Sequence, residues 1–317
     1  MCCSFVFAKF EHSLENNAAS TTQSHTIPTY LALFIFGFLY QLGLAYDALR
    51  LKNTIQIIGI CVSDLALLTY AAVQTDQIKD AVNVLASQKK IRDDFWDDVH
   101  PYLIAIPCII ALCFVLLSGV AWKLYDEFAW TIYKHISADL RMKRRYLIFQ
   151  IYIALLKFDF FFFLGFTVQF LVVVKSPDAE TWLTVAAIPI TVGILIMAGY
   201  WTRHESRFGM LIIIVLYFAA MAYFLFKLVR MYDTSNDRWL DYLPARRSLT
   251  FFAIITVLLL VVTIINAIWC MINFGKGLKP IVQRRKVPAP EDKNYATEYS
   301  GAGTHPLGQV SSRMTID

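Results

Sequence analysis

The stretch LTFFAIITVLLLVVTIINAIWCMI (249–272) decides the fold class. It runs twenty-four residues without a single charge. As a helix rising 1.5 Å per residue it reaches about 36 Å, enough to cross a hydrocarbon core of about 30 Å. Working outward, six further stretches are long and apolar enough to do the same: 27–46, 53–74, 101–122, 146–174, 182–201 and 209–231. The rest of the chain agrees with them. Of 317 residues, 57% are hydrophobic and only 17% charged, and the mean hydropathy is +0.52. So little charge cannot coat a soluble core of that size. The composition excludes a soluble enzyme, a nucleic-acid module and a disordered scaffold, although the net charge is +5.

The expected architecture is all-α, a polytopic membrane protein built as a bundle of seven transmembrane helices over residues 27–274. Residues 1–26 precede it. From 275 to 317 the chain turns polar and rich in Pro and Gly, which reads as a disordered tail. Spans one and two are separated only by Asp47 to Lys52, so they form an antiparallel hairpin. In the polar stretch 75–100, Ile78, Val82 and Leu85 recur at helical spacing, which predicts that span two continues as an amphipathic helix. Nothing at the N-terminus has the pattern of a removable signal peptide, so the first span is expected to target the chain.

Lys and Arg set the expected orientation, because cytosolic loops carry the excess. The side holding loops one–two, three–four and five–six and the tail has seventeen of them, the other side eleven. The N-terminus is therefore expected in the lumen and the C-terminus in the cytosol. Tyr30, Tyr70, Tyr102, Trp182 and Tyr232 mark one set of span ends. Tyr46, Trp122, Tyr146, Trp201 and Trp269 mark the other, as two interfacial belts require.

Polar residues at membrane depth are the candidate site, because each needs a partner or water. They are Asp64 in ICVSDLALLTY, Lys157 and Asp159 in LLKFDFFFF, and Asn266 in span seven. Counted from Asn53 and Tyr146, Asp64 and Lys157 each lie about 16 Å from the same face, which allows an ion pair between spans two and four. Asp159 points to roughly the opposite side of its helix, so the two residues cannot serve one partner. The functional reading is a polar path for a solute or ion lined by these four groups. The alternatives are an interhelical bridge that only holds helices together, or a Lys157 that snorkels to the interface of a span longer than it needs to be.

Other features carry less. Basic clusters in DLRMKRRY (139–146) and QRRK (283–286) place Arg141, Lys143, Arg144, Arg145, Arg284, Arg285 and Lys286 where anionic lipid headgroups lie. The same residues also fit an ordinary positive-inside stop. Asp93, Asp94, Asp97 and Asp98 with His100 suit a hard cation, but no glycine turn spaces them as a calcium loop requires, and a solvated acidic face explains them better. Cys2-Cys3 fits either palmitoylation or two ordinary terminal cysteines. No zinc motif, nucleophile elbow or deeply placed His occurs, so neither a metal, a cofactor nor an enzymatic reaction is expected. No nucleic-acid partner is expected either, and the bilayer itself is the main one. The receptor-like VSDLALL of span two stands alone, without the acidic-Arg-aromatic triplet or the Asn-Pro-x-x-Tyr of rhodopsin-like receptors.

Three stretches carry a family resemblance: YQLGLAYDALRLKNTIQIIGICVSDLALLTYAAVQTDQI (40–78), ADLRMKRRYLIFQIYIALLKFDFFFFLGFTVQFLVVV (138–174) and TRHESRFGMLIIIVLYFAAMAYFLFKLVRMYD (202–233). Together they resemble a fungal family of uncharacterised multi-pass Golgi apparatus membrane proteins, over roughly residues 30–275. The resemblance implies a Golgi or nearby secretory location. It brings no activity and no site residue, so two function classes stand. One is a carrier or channel for a small solute or ion. The other is a binding or organising protein for membrane traffic, acting through its basic loop and tail.

Overall fold

The computed structural model describes residues 2–13, 22–87, 95–135, 140–174, 178–233, 242 and 245–277. Of the described residues 94% are helical and none lies in a strand. The helices are α1 (Cys2–Ser13), α2 (Thr22–Arg50), α3 (Thr54–Ser87), α4 (Phe95–His135), α5 (Leu140–Val173), α6 (Asp178–His204), α7 (Arg207–Tyr232) and α8 (Arg246–Ile272). Helices α2 to α8 are each long and apolar enough to cross a membrane, at the seven places where the sequence puts spans.

Several helices overrun the expected span limits. The amphipathic continuation of α3 is present: Ile78, Val82 and Leu85 are buried and the helix runs to Ser87. Helix α2 starts at Thr22, five residues before the expected boundary, with Pro28 inside it. The N-terminal segment is itself partly helical.

Helix α5 is the centre of the bundle, in contact with α2, α3, α6 and α8, while α8 also meets α3 and α7. Helices α4 and α6 are peripheral, with only 17% and 11% of their most apolar windows buried, against 50% for α5. Their exposed Val115, Leu116, Trp122 and Ile196 face outward, as lipid-contacting positions do. Lipid is as apolar as leucine, so burial alone does not hold such helices together, and close contact must. Two glycines show how close. A Cβ on Gly59 would stand 2.4 Å from the Phe158 ring, and one on Gly165 2.5 Å from the Phe252 ring.

Tight turns join two of the hairpins on one face. Between α2 and α3, Lys52 takes a left-handed φ of 48°, and Asn53 Oδ1 accepts from the Ile55 amide at 3.2 Å to start α3. Between α6 and α7, Glu205 is left-handed at φ 54° and Ser206 Oγ caps the Gly209 amide at 3.3 Å. The chain leaving α8 folds back onto the same face. Arg145 donates to the Lys276 carbonyl (2.8 Å), the Gly275 amide to Glu205 Oε2 (2.8 Å), and Arg207 to the Phe274 carbonyl (3.5 Å). This is the carboxy-terminal face.

Helix α1 lies at the opposite, amino-terminal face. Its Val6 and Phe10 are fully buried, Phe10 meets Phe95 at 5.8 Å, and Lys9 pairs with Asp98 at 2.9 Å. The two spans between them, α2 and α3, put α1 and the start of α4 on one face, and an odd total of seven puts that face opposite the chain leaving α8. Cys3 is buried in that contact. Residues 278–317, with Arg284, Arg285 and Lys286, lie outside the described residues, and so do Asp93 and Asp94.

Candidate functional site

Within its apolar stretch, helix α5 carries two charged residues two positions apart, Lys157 and Asp159. Two residues turn a helix by about 200°, so their side chains leave on different sides. The structure gives each side a separate neighbourhood.

Lys157 faces the α2–α3 hairpin. Its ammonium forms an ion pair with Asp47 and donates to Gln56 Oε1 at 2.8 Å. The Gln56 amide donates in turn to Asp47 Oδ2 (3.1 Å) and to the Leu44 carbonyl (2.7 Å). Tyr40 closes the set by donating to the Lys157 carbonyl at 2.7 Å. This network corrects the expected Asp64–Lys157 pair. Depth counted from Tyr146 and Asn53 assumes that α3 and α5 start in one plane, and they do not. Lys157 lies about 24 Å along α5 from Arg141, yet it stands level with Gln56, only two residues into α3. Asp64 is eight residues further along α3, about 12 Å deeper.

Asp64 is buried with α2 beside it. The Gln41 amide donates to Ser63 Oγ at 2.8 Å and also interacts with the Asp64 carboxyl. Asp64 Oδ2 has no hydrogen-bond partner among the described residues.

Asp159 turns the other way, into the seam between α5 and α8. Thr263 donates to its Oδ2 at 2.7 Å, and its Oδ1 has no partner among the described residues. Asn266, one turn along α8 from Thr263, is buried on the same side and accepts weakly from Cys270 Sγ at 3.8 Å. A Tyr152–Tyr217 hydroxyl pair (3.1 Å) lies nearby, with Tyr152 also touching Met210 Sδ at 3.8 Å. Of the four residues singled out from sequence, the structure brings Asp159 and Asn266 into one seam and leaves Asp64 and Lys157 in two other places.

The seam continues toward the amino-terminal face. Phe162 and Tyr70 stand around Phe252, at 6.1 and 5.0 Å between ring centroids. Beyond them a second polar set begins: Gln169 donates to Tyr70 Oη (2.7 Å) and Ser248 to Tyr30 Oη (3.1 Å). Gln169 Oε1 is buried without a partner among the described residues. The seam thus carries two sets of hydrogen-bonded polar side chains with an aromatic cluster between them.

Several of these groups are not conspicuous in the sequence. Gln41, Gln56 and Gln169 are uncharged and sit in apolar runs, where a hydropathy reading counts them as noise. The usable signal was their repetition, since glutamine at membrane depth also needs a partner. Lys227 falls inside α7, buried with its ammonium 3.8 Å from the Phe170 ring centre, although its charge reads as a loop residue. Of the acidic cluster, Asp98 pairs with Lys9, and His100 lies against Trp96 at 5.1 Å. Among the described residues no three His, Cys, Asp or Glu side chains stand together as metal ligands would. Arg141 and Arg144 are exposed on α5, while Arg145 is engaged with the segment after α8.

Seven spanning helices, arranged around one that carries buried charge, define a polytopic α-helical membrane protein. The chain is 34% identical over 276 residues to a UPF0658 Golgi apparatus membrane protein of Schizosaccharomyces pombe, a match covering 80% of this chain and 78% of that one. The chain belongs to this fungal family and is a multi-pass protein of the Golgi apparatus membrane. No protein-family model and no solved structure matches it.

Proposed function

We propose that the protein is a non-enzymatic carrier or channel for a small solute or ion in the Golgi membrane, with the α5–α8 seam as its path. One observation carries this reading: Asp159 lies buried at membrane depth with only one of its carboxyl oxygens partnered, by Thr263. A carboxylate at the bilayer centre costs at least about 2.5–3.5 kcal/mol. A purely structural acid is expected to recover that cost through a cation, as Asp47 does with Lys157. Asp159 has an acceptor left over, where a proton, a cation or a solute donor fits. Phe162, Phe252 and Tyr70 stand between the two polar sets, and in this reading they are what closes the path. The excess of Lys and Arg at the carboxy-terminal face supports a cytosolic C-terminus and a lumenal N-terminus.

The test is reconstitution into liposomes loaded with pH- and cation-sensitive dyes, followed under imposed gradients. Wild type is expected to dissipate at least one gradient, and Asp159→Asn, equally folded, to leave it standing. A flux that survives Asp159→Asn and disappears only in Asp64→Asn would move the path to the α2–α3 side. Flux equal in wild type and both variants would remove the carrier reading.

A second reading has its own observation. The segment Asn273–Gly277 is pinned beside Arg145, Glu205 and Arg207, so the tail leaves the membrane at a defined place next to exposed basic residues. That suits a protein that organises membrane traffic through this face. Deleting residues 278–317, or neutralising Arg141 to Arg145, should then mislocalise the protein or lose a partner in a pull-down. Unchanged location and an unchanged pull-down would end it.

A further inference from the structure

Helices α2 and α6 both lie against α5, and between them a groove of about 820 Å³ opens on the outside of the bundle. Its two ends differ in chemistry. Phe160, Val192 and Ile196 line one end, and the other carries Lys157, Arg203 and His204, with Tyr40 and Tyr200 between. From Val192 to His204 the wall runs twelve residues of α6, about 18 Å, comparable to the length of an extended acyl chain. The polar end lies at the carboxy-terminal face, where α6 turns into α7 at Glu205.

Charge settles which head the groove fits. Asp47, the acid nearest Lys157, is engaged by Lys157 and Gln56, and Glu205 is engaged by the Gly275 amide. Lys157 uses two of its three N–H groups on Asp47 and Gln56, which leaves the third available. Arg203 and His204 are exposed, and Arg203 has no anionic partner among the described residues. The Lys157 network also fixes the groove floor, because Tyr40 is tied to the Lys157 carbonyl.

We infer that this groove is a binding site for a phospholipid with an anionic headgroup. The phosphate is held by Arg203, His204 and the open N–H of Lys157, and one acyl chain lies along Phe160 and the apolar face of α6. A planar guanidinium suits phosphate oxygens, and the aromatic walls suit the interfacial level of a lipid head. The site is separate from the α5–α8 seam, so Asp159→Asn should leave it intact.

The experiment uses the purified full-length protein, equilibrated with equal amounts of dioleoyl phosphatidic acid and dioleoyl phosphatidylcholine, with retained lipid counted by native mass spectrometry. Wild type is expected to retain the acidic lipid over the neutral one by roughly tenfold. Arg203→Gln/His204→Gln should bring that preference to about twofold or less. Gly199→Phe should lower retention of both lipids by filling the groove, since a Cβ there meets only Leu156, at 3.9 Å. This second variant keeps the test decisive if the first does not fold. Arg141→Gln/Arg144→Gln, on the exposed collar outside the groove, should change nothing. Three results would overturn the site: no preference in wild type, a preference abolished only by the collar variant, or inorganic phosphate alone displacing the acidic lipid.

Discussion

The two flanks of α5 differ more than the one residue separating their charged groups suggests. On the flank facing α2 and α3, Lys157 meets an acid, an amide and, through its carbonyl, a tyrosine, so its charge is matched by an opposite one. On the flank facing α8, Asp159 meets one hydroxyl and has an oxygen left over. Both flanks are tightly built, since each presses a glycine against an aromatic ring, Gly59 on Phe158 and Gly165 on Phe252. Loose packing therefore does not explain the unmatched carboxyl. A half-exposed charge paired with its opposite points to a fastening, and a fully buried one left without a cation points to a working group.

That contrast can be broken at either flank, beginning with the largest effect. Asp159→Asn keeps the shape and the Thr263 hydrogen bond. Gradient dissipation in liposomes should fall at least about tenfold, while unfolding stability should hold or rise, by up to about 3 kcal/mol, because a buried charge without a cation is removed. The paired exchange Asp47→Asn/Lys157→Gln removes both charges from the other flank, and flux should stay within about twofold of wild type. Equal damage from both exchanges would erase the distinction.

The next test reads stability. Lys157→Met alone leaves Asp47 and Gln56 without their cation and should cost about 2 kcal/mol in denaturant unfolding, with roughly half recovered when Asp47→Asn is added. The half-exposed position of the pair keeps this below the cost of a fully buried one. Gly165→Val forces a Cβ into the Phe252 ring and should cost about 1–3 kcal/mol, and Gly59→Val against Phe158 a similar amount. A cost near zero at Gly165 would mean that the α5–α8 seam is looser than described.

The smallest effect belongs to the face beyond the bundle. Arg145→Gln removes one exposed hydrogen bond to the Lys276 carbonyl and should change stability by no more than about 0.5 kcal/mol. Proteolysis of the chain after Gly277 should speed up slightly. A large loss of stability would show that this contact holds more than the start of the tail.

The seven spans were legible because each is a long run of residues with no polar alternative to lipid, and 249–272 is the plainest of them. The site was legible only in part. Asp159 and Asn266 were recognisable as polar groups at depth, and their shared seam follows from helices that the sequence could not place beside each other. Counting residues from span ends mispairs Lys157, because it treats every helix as starting at one plane. Helix α5 begins well beyond the α2–α3 turn, so the residue level with Lys157 is Gln56 and not Asp64. Thr263 carries no signal, since an isolated hydroxyl inside an apolar run is ordinary until a neighbouring helix shows what it faces, and Tyr70, which reads as an interfacial ring, is fully buried in the seam.

The central claim is that Asp159 is a working group, and the most direct test is ligand-dependent stability. Wild type and Asp159→Asn would be unfolded by heat side by side across monovalent and divalent cations, sugars, amino acids and nucleotide sugars. A ligand held at a hundred times its dissociation constant adds about 2.7 kcal/mol of stability. The account predicts such a gain for at least one solute in wild type and its loss in Asp159→Asn, with the variant at least as stable as wild type in plain buffer. The same gain in both proteins would contradict it.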